Sequence, residues 1–269
     1  MILLGSILFA IVFTLLFFFL GVTWYWLILI FLGSFIVYTL LFVGVLYIIT
    51  FFHDTNKVVI KPKRFYGWMI YEVCVLLKRV LRINIISEGF EKIKGLKGYT
   101  MVCNHQAIID PICYLLASKE KGMSFIVKKE VRKMPLVGRW FAISGYYFLN
   151  RDNSREGLKT IINGTKALKE NRPVGIYVEG TRSKGANLGE FHEGSFKMPQ
   201  KANAPIVLCC IDKSYLMKKN YPLKKTNVYL KVCEVIPYEK YQDMTTKEIA
   251  SYAHSVVSQG LKEIREKYR

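Results

Sequence analysis

Between Met1 and Phe52 there is not one Asp, Glu, Lys or Arg. A stretch without charge of that length is enough for two crossings of a hydrocarbon core, each of which takes about 20 apolar residues. It also lacks the basic start of a cleaved signal peptide, since the chain opens on Met1-Ile2-Leu3-Leu4. Acidic residues are few: 20 Asp and Glu stand against 39 Lys and Arg, a net charge of +19 that lies wholly after Phe52. Metal-site spacing is missing as well. The six cysteines (Cys74, Cys103, Cys113, Cys209, Cys210, Cys233) contain no CxxC and the four histidines (His53, His105, His192, His254) no HExxH, so no metal is expected. The cysteines sit among apolar neighbours as reduced, buried thiols do, and Cys103 reads as filler at a strand end rather than as a nucleophile. No GxSxG motif, internal repeat or Gly/Ser linker follows residue 52.

What is present divides the chain into three segments. Residues 1–52 read as a transmembrane hairpin, with helices at 2–20 and 27–52 turned at Gly21-Val22-Thr23-Trp24-Tyr25-Trp26, whose aromatics suit a water interface. Residues 53–82 read as a basic linker (Lys57, Lys61, Lys63, Arg64) and an amphipathic helix over 65–82. That helix fits either the membrane interface or an ordinary core face. Basic residues directly after an apolar run stay cytoplasmic, so an integral membrane protein with its soluble part on the cytoplasmic face is expected. Residues 83–269 alternate apolar runs (83–87, 99–103, 124–127, 143–149, 174–178, 205–211, 227–236) with helical patterns (111–119, 153–171, 245–268). That order predicts an α/β domain with a mixed, largely parallel sheet flanked by helices. Thr245-Thr246-Lys247-Glu248 has capping-box spacing at the last helix start.

Asn104-His105 ends one apolar run and Asp110-Pro111 follows five positions later. On a continuous helix that spacing separates the two side chains by about 140°, so they can meet only across a turn. Asp110-Pro111 supplies it as a helix start, with Asp at the N-cap and Pro at the first helical position. An imidazole held in one tautomer by a carboxylate is a general base for a hydroxyl. The plainer alternative is that Asp110 caps its helix and His105 is a loop bystander.

Glu179-Gly180-Thr181-Arg182-Ser183 follows the apolar run 174–178. Gly180 lets backbone N–H groups approach an anion, Thr181 adds a hydroxyl and Arg182 a bidentate fork. A turn followed by a solvated Arg is the bland reading. Lys128 and Arg151 end two further apolar runs, where they could join Arg182 around one phosphate.

Taken together, these blocks resemble the glycerolipid acyltransferases of the lysophosphatidic acid acyltransferase type. The NHxxxxD block is Asn104-His105-Gln106-Ala107-Ile108-Ile109-Asp110. The second block runs from Lys128 through Gly138 to Phe148-Leu149-Asn150-Arg151, the third is Glu179-Gly180-Thr181-Arg182 and the fourth Ala204-Pro205-Ile206-Val207. Val178 stands where the family usually has Pro, and Leu149-Asn150-Arg151 where it has an Ile-Asp-Arg type triplet. The resemblance implies that His105 and Asp110 are catalytic with Asn104 supporting them. It further implies that Lys128, Arg151, Glu179, Gly180, Thr181 and Arg182 form the phosphate site. The implied partners are the bilayer, lysophosphatidic acid and acyl-CoA or acyl-acyl carrier protein, with no other cofactor and no nucleic acid. The net positive charge suits such anionic partners independently. Two other classes remain in view: an acyltransferase for another lysophospholipid, and a tethered anionic-lipid-binding protein without chemistry.

Overall fold

The computed structural model describes residues 2–269. The chain divides into two units, Met1–Asn56 and Lys57–Arg269. The first holds α1 (Ile2–Phe19) and α2 (Trp24–Phe51), packed on each other with the Phe9 and Tyr38 rings 5.2 Å apart. Small residues bring the helices close: Ser6, Ala10 and Ser34 are buried. The Ser6 and Ser34 hydroxyls, and those of Thr14 and Thr39, bond to carbonyls one turn back, which satisfies them within their own helices. The outer surface carries large apolar side chains such as Phe18, Leu29 and Leu40. By length and composition the two helices are suited to association with a membrane.

The turn is tighter than the sequence predicts. Trp24, Tyr25 and Trp26 belong to the first turn of α2, and the bend is confined to Leu20–Thr23. Gly21, at φ 78°, supplies the left-handed residue, and the Gly21 and Val22 N–H groups close on the carbonyls of Phe18 and Phe17.

The second unit opens with α3 (Arg64–Val80), which buries Tyr66, Met69 and Cys74. In chain order there follow β1 (Ile83–Glu88), β2 (Thr100–Cys103), α4 (Asp110–Ser118), β3 (Ser124–Lys128), α5 (Pro135–Ile143), β4 (Tyr147–Leu149) and α6 (Ser154–Lys169). The remainder is β5 (Val174–Tyr177), α7 (Lys197–Ala202), β6 (Ile206–Asp212), α8 (Met217–Asn220), β7 (Thr226–Ile236) and α9 (Thr246–Lys267). The sheet order is β1-β7-β6-β2-β5-β3-β4. Every neighbouring pair is parallel except β6 with β7, which gives the mixed, largely parallel sheet that the sequence predicts.

Alternation along the central strands buries both faces. Val102, Ile206, Leu208 and Ile176 pack with Leu168, Met198, Val257 and Leu261 of the α6, α7 and α9 layer. Met101, Cys103, Val207 and Cys209 pack with Ile109, Cys113, Tyr114 and Cys74 of the α3 and α4 layer. A sheet covered on both sides needs unbroken apolar strands, which is why β2 and β6 read so clearly in the sequence. The last helix starts on the anticipated capping box: Thr245 Oγ1 accepts from the Glu248 N–H at 3.3 Å, and Glu248 accepts from the Thr245 N–H at 2.7 Å.

One predicted strand is largely wrong. Residues 143–149 contain only the three-residue β4, and the preceding segment forms α5, which the sequence reading passed over. Trp140-Phe141-Ala142-Ile143 is a continuous apolar run, and short buried runs do not separate helix from strand by periodicity. Pro135 at the first turn was the available signal.

Candidate active site

β2 and β5 lie side by side and parallel, with Cys103 opposite Tyr177. The loops that leave their C-terminal ends therefore share one edge of the sheet, where open α/β folds bind ligands. Asn104 extends β2 with its side chain: Oδ1 accepts from the Ile211 N–H at 2.8 Å and Nδ2 donates to the Ile211 carbonyl at 2.9 Å. The residue that follows is thus fixed to β6 on one side.

On the other side the β5 loop grips His105 through the backbone. The His105 N–H donates to Glu179 Oε1 at 2.7 Å, and the His105 carbonyl accepts from the Ser183 N–H at 2.8 Å. Tyr177 stacks on the imidazole face with ring centroids 4.3 Å apart. Sequence reasoning missed Tyr177; its place as the last strand residue beside Cys103 was the only signal.

The turn brings His105 and Asp110 together, with Nδ1 and Oδ2 2.7 Å apart. The same Oδ2 accepts from the Gln106 N–H at 2.7 Å and the Ala107 N–H at 2.9 Å. A carboxylate offers only lone pairs to these donors, so Nδ1 carries the hydrogen and Nε2 is left as the basic nitrogen. Asp110 is fully buried, whereas the His105 side chain keeps 19 % of its surface exposed. The base is reachable while its orienter is not. Contrary to the sequence expectation, the N-cap is Ile109, and Asp110 is the first residue of α4. Its carboxylate turns back over the 106–107 turn rather than capping its own helix.

Gly180 has φ 73°, a conformation that favours glycine, and a Cβ there would stand 2.6 Å from Arg151 Nη1 and 2.8 Å from His192 Cδ2. Arg151 therefore lies against the Gly180 backbone, and this desolvation lowers its pKa. Lys128 and Arg182 are exposed, and their side chains hold no hydrogen bond or ion pair among the described residues; Thr181 is exposed too. The structure does not bring Lys128 or Arg182 into contact with His105. Lys129 beside Lys128 is engaged instead, by Asp152 at 2.5 Å and Asn150 at 2.8 Å.

Glu179 departs from its expected place at the phosphate. It is buried, and its second oxygen accepts the Gly189 N–H at 3.0 Å, so both oxygens brace backbone. Burial raises its pKa, against the lowering effect of the two N–H donors. A carboxylate so placed would repel a phosphate and serves as the tie between the two loops.

Cys103 is buried, and burial raises its thiol pKa well above the usual range, which suits packing and not nucleophilic attack. Among the described residues no group of three or more His, Cys, Asp or Glu is arranged to hold a metal ion. Gln106, Asp212 and Arg265 also escaped the sequence reading. Gln106 Nε2 donates to Asp212 Oδ1 at 3.0 Å, and Arg265 meets Asp212 at 3.1 Å.

A family model described as Acyltransferase matches residues 84–212, the span that contains every loop just described. The 1-acyl-sn-glycerol-3-phosphate acyltransferase of Saccharomyces cerevisiae is 28 % identical over 198 residues, covering 71 % of this chain and 63 % of that protein. The protein of that name from Borreliella burgdorferi is 24 % identical over 204 residues, 74 % of this chain and 80 % of that protein. The human 1-acyl-sn-glycerol-3-phosphate acyltransferase beta is 31 % identical over 141 residues, about half of each. The crystal structure of the 1-acyl-sn-glycerophosphate (LPA) acyltransferase PlsC from Thermotoga maritima shares the fold, with a TM-score of 0.65 over 97 % of both chains at 23 % identity. Residues 84–212 thus match the acyltransferase family model, and the chain is similar around that span to proteins named 1-acyl-sn-glycerol-3-phosphate acyltransferase.

Proposed function

We propose that the protein transfers an acyl group from an acyl thioester to the sn-2 hydroxyl of 1-acyl-glycerol-3-phosphate, making phosphatidic acid for phospholipid biosynthesis. The observation that carries this reading is the 2.7 Å bond from His105 Nδ1 to a fully buried Asp110, which leaves Nε2 open at the shared loop edge. The relatives' names give the acceptor class.

In this mechanism Nε2 takes the hydroxyl proton as the acceptor oxygen attacks the thioester carbonyl. Asp110 stabilises the imidazolium that results. Collapse of the tetrahedral intermediate breaks the carbon–sulfur bond, and the imidazolium returns its proton to the leaving thiolate. Protons and charge balance without a cofactor. Acyl-CoA or acyl-acyl carrier protein serves as co-substrate.

Arg151, lying on the Gly180 backbone, and Arg182 and Lys128, exposed on the neighbouring loops, are proposed to hold the acceptor phosphate once it bridges them. Asn104 keeps His105 on the edge of β6. The apolar helices are proposed to span the bilayer as a hairpin, with the catalytic part cytoplasmic and the exposed Phe65 of α3 at the interface. A tethered binding protein would have no use for an imidazole braced at its backbone, its ring face and Nδ1.

The test is purified protein with lysophosphatidic acid and a labelled acyl thioester, read by lipid product. Phosphatidic acid is expected. Product only with a lysophospholipid that lacks a terminal phosphomonoester would assign the chain another acceptor. Orientation is tested by protease treatment of sealed right-side-out vesicles, in which the C-terminus should be protected; digestion there would invert it.

A further inference from the structure

The loop of His105 is fastened to the distant C-terminal helix through buried polar groups. Asp212, the last residue of β6, is 2 % exposed, and a carboxylate at that depth needs a cationic or multiply bonded partner. Arg265 of α9 supplies one, with Nε 3.2 Å from Oδ2 and Nη2 3.1 Å from Oδ1. The Asp212 Oδ1 oxygen also accepts from Gln106 Nε2 at 3.0 Å, and Gln106 Oε1 accepts the Ser214 hydroxyl at 3.4 Å. Gln106 is the residue after His105, and its N–H is one of the three donors on Asp110 Oδ2. Arg265 Nη2 donates in addition to the Ala186 carbonyl, in the loop that Glu179 closes at Gly189. One guanidinium thus bonds the loop after β5 directly and reaches the loop after β2 through Asp212 and Gln106.

We infer that Arg265 is a positioning residue for the His105 loop, acting through Asp212 and Gln106 on one side and through Ala186 on the other. It touches neither His105 nor Asp110, and the planar fork of arginine is what allows three bonds, two to the end of β6 and one to the loop after β5. Asn104, held by Ile211, fixes where the loop begins. Gln106, held by Asp212, fixes how it turns, and with it the direction of Nε2. A misplacement of about 1 Å at a reacting group costs on the order of 100-fold.

The inference rests on the acyltransfer reading for its kinetic arm only, so the experiment has two arms on the full chain in detergent micelles. Amide hydrogen exchange compares Arg265→Met with wild type. Peptides over 104–110 and 183–189 should exchange at least about tenfold faster in the variant, while α6 peptides keep the wild-type rate. In the kinetic arm, kcat with lysophosphatidic acid should fall by about 30-fold, with the KM of the acyl thioester changed by less than about threefold. The Gln106→Ala/Arg265→Met double variant should be no slower than Gln106→Ala alone by more than about threefold, as two members of one relay are not additive. Arg265→Lys keeps a charge opposite Asp212 and guards against misfolding of the Met variant. It should lose about three- to tenfold in kcat at an unchanged melting temperature. Wild-type exchange at 104–110 in Arg265→Met overturns the inference, as does an unchanged kcat in either variant or full multiplicative loss in the double variant. A wild-type protein that makes no phosphatidic acid would overturn the proposed function and leave the exchange arm to decide this one.

Discussion

Glu179 Oε1 accepts the backbone N–H of His105 at 2.7 Å, and this bond ties the loop after β5 to the loop after β2. The tie places a carboxylate where burial raises its pKa. The folded protein consequently holds a proton on Glu179 to higher pH than the unfolded chain does. The contribution of this group to stability is greatest below the ordinary glutamate pKa, falls as pH rises toward the folded pKa, and is constant above it. Melting temperatures of wild type and Glu179→Gln across a pH series should show the wild type losing ground to the variant through that window and levelling off beyond it. A difference that is flat, or that grows with pH, contradicts the account.

Asp110 receives all three of its bonds on Oδ2, while Oδ1 is buried and has no partner among the described residues. An asparagine can therefore place its oxygen at Oδ2 and keep both the loop and the Nδ1 tautomer, losing only the charge that stabilises the imidazolium. A bond to a charged group contributes about 1.5–3 kcal/mol, so Asp110→Asn should lower kcat by roughly 10- to 100-fold. Asp110→Ala also orphans the Gln106 and Ala107 N–H groups and should lose more. Single-turnover rates of the two variants, measured side by side, check the order; equal losses would mean that the carboxylate works by geometry alone.

Gly180 and Arg151 should behave as one unit. A Cβ at Gly180 would lie 2.6 Å from Arg151 Nη1, at a backbone conformation of φ 73°. Gly180→Ala and Arg151→Ala are both expected to raise the KM for lysophosphatidic acid by about tenfold, the equivalent of one lost charged contact, and Arg182→Ala to act in the same direction. The KM for the acyl thioester should stay constant. A variant of Arg151 or Arg182 that leaves the acceptor KM unchanged removes that residue from the phosphate site.

Arg172 is buried with its guanidinium on four backbone carbonyls: Gly122 at 2.8 Å, Ser144 at 2.5 Å, Gly145 at 3.1 Å and Ile60 at 3.4 Å. Burial lowers its pKa. In Arg172→Met those carbonyls lose their donor at roughly 1–3 kcal/mol for each that stays buried and unpaired. A total of about 2–4 kcal/mol is expected, or a melting temperature lower by about 5–15 °C for a unit of this size. Thermal unfolding that differs from wild type by less than a degree would contradict the staple.

The sequence made the sheet legible because both its faces are buried, so β2, β5 and β6 appear as apolar runs with Gly, Asn or Pro at their ends. It made the His105–Asp110 pair legible because the spacing demanded a turn and Asp110-Pro111 provided a helix start. It left 135–142 unassigned, because a short apolar run such as Trp140-Phe141-Ala142-Ile143 fits both periods. Arg172 was invisible as a staple, because its role depends on carbonyls from three distant stretches of chain. Arg265 and Asp212 were likewise invisible, since a charged residue on a C-terminal helix looks solvated until the fold puts a buried carboxylate opposite it. Glu179 was legible as part of the Gly180 turn, but a polar residue there looks the same in sequence whether it faces substrate or backbone.

The most direct measurement is the initial rate of phosphatidic acid formation from lysophosphatidic acid and an acyl thioester, in wild type and in His105→Ala. If Nε2 is the general base, the wild type forms phosphatidic acid and the variant retains less than about one part in 10²–10⁴ of its rate, the usual range for a lost acid–base group. Circular dichroism and melting temperature should be unchanged in the variant. Phosphatidic acid formed by His105→Ala at a rate near that of wild type would contradict the account at its centre.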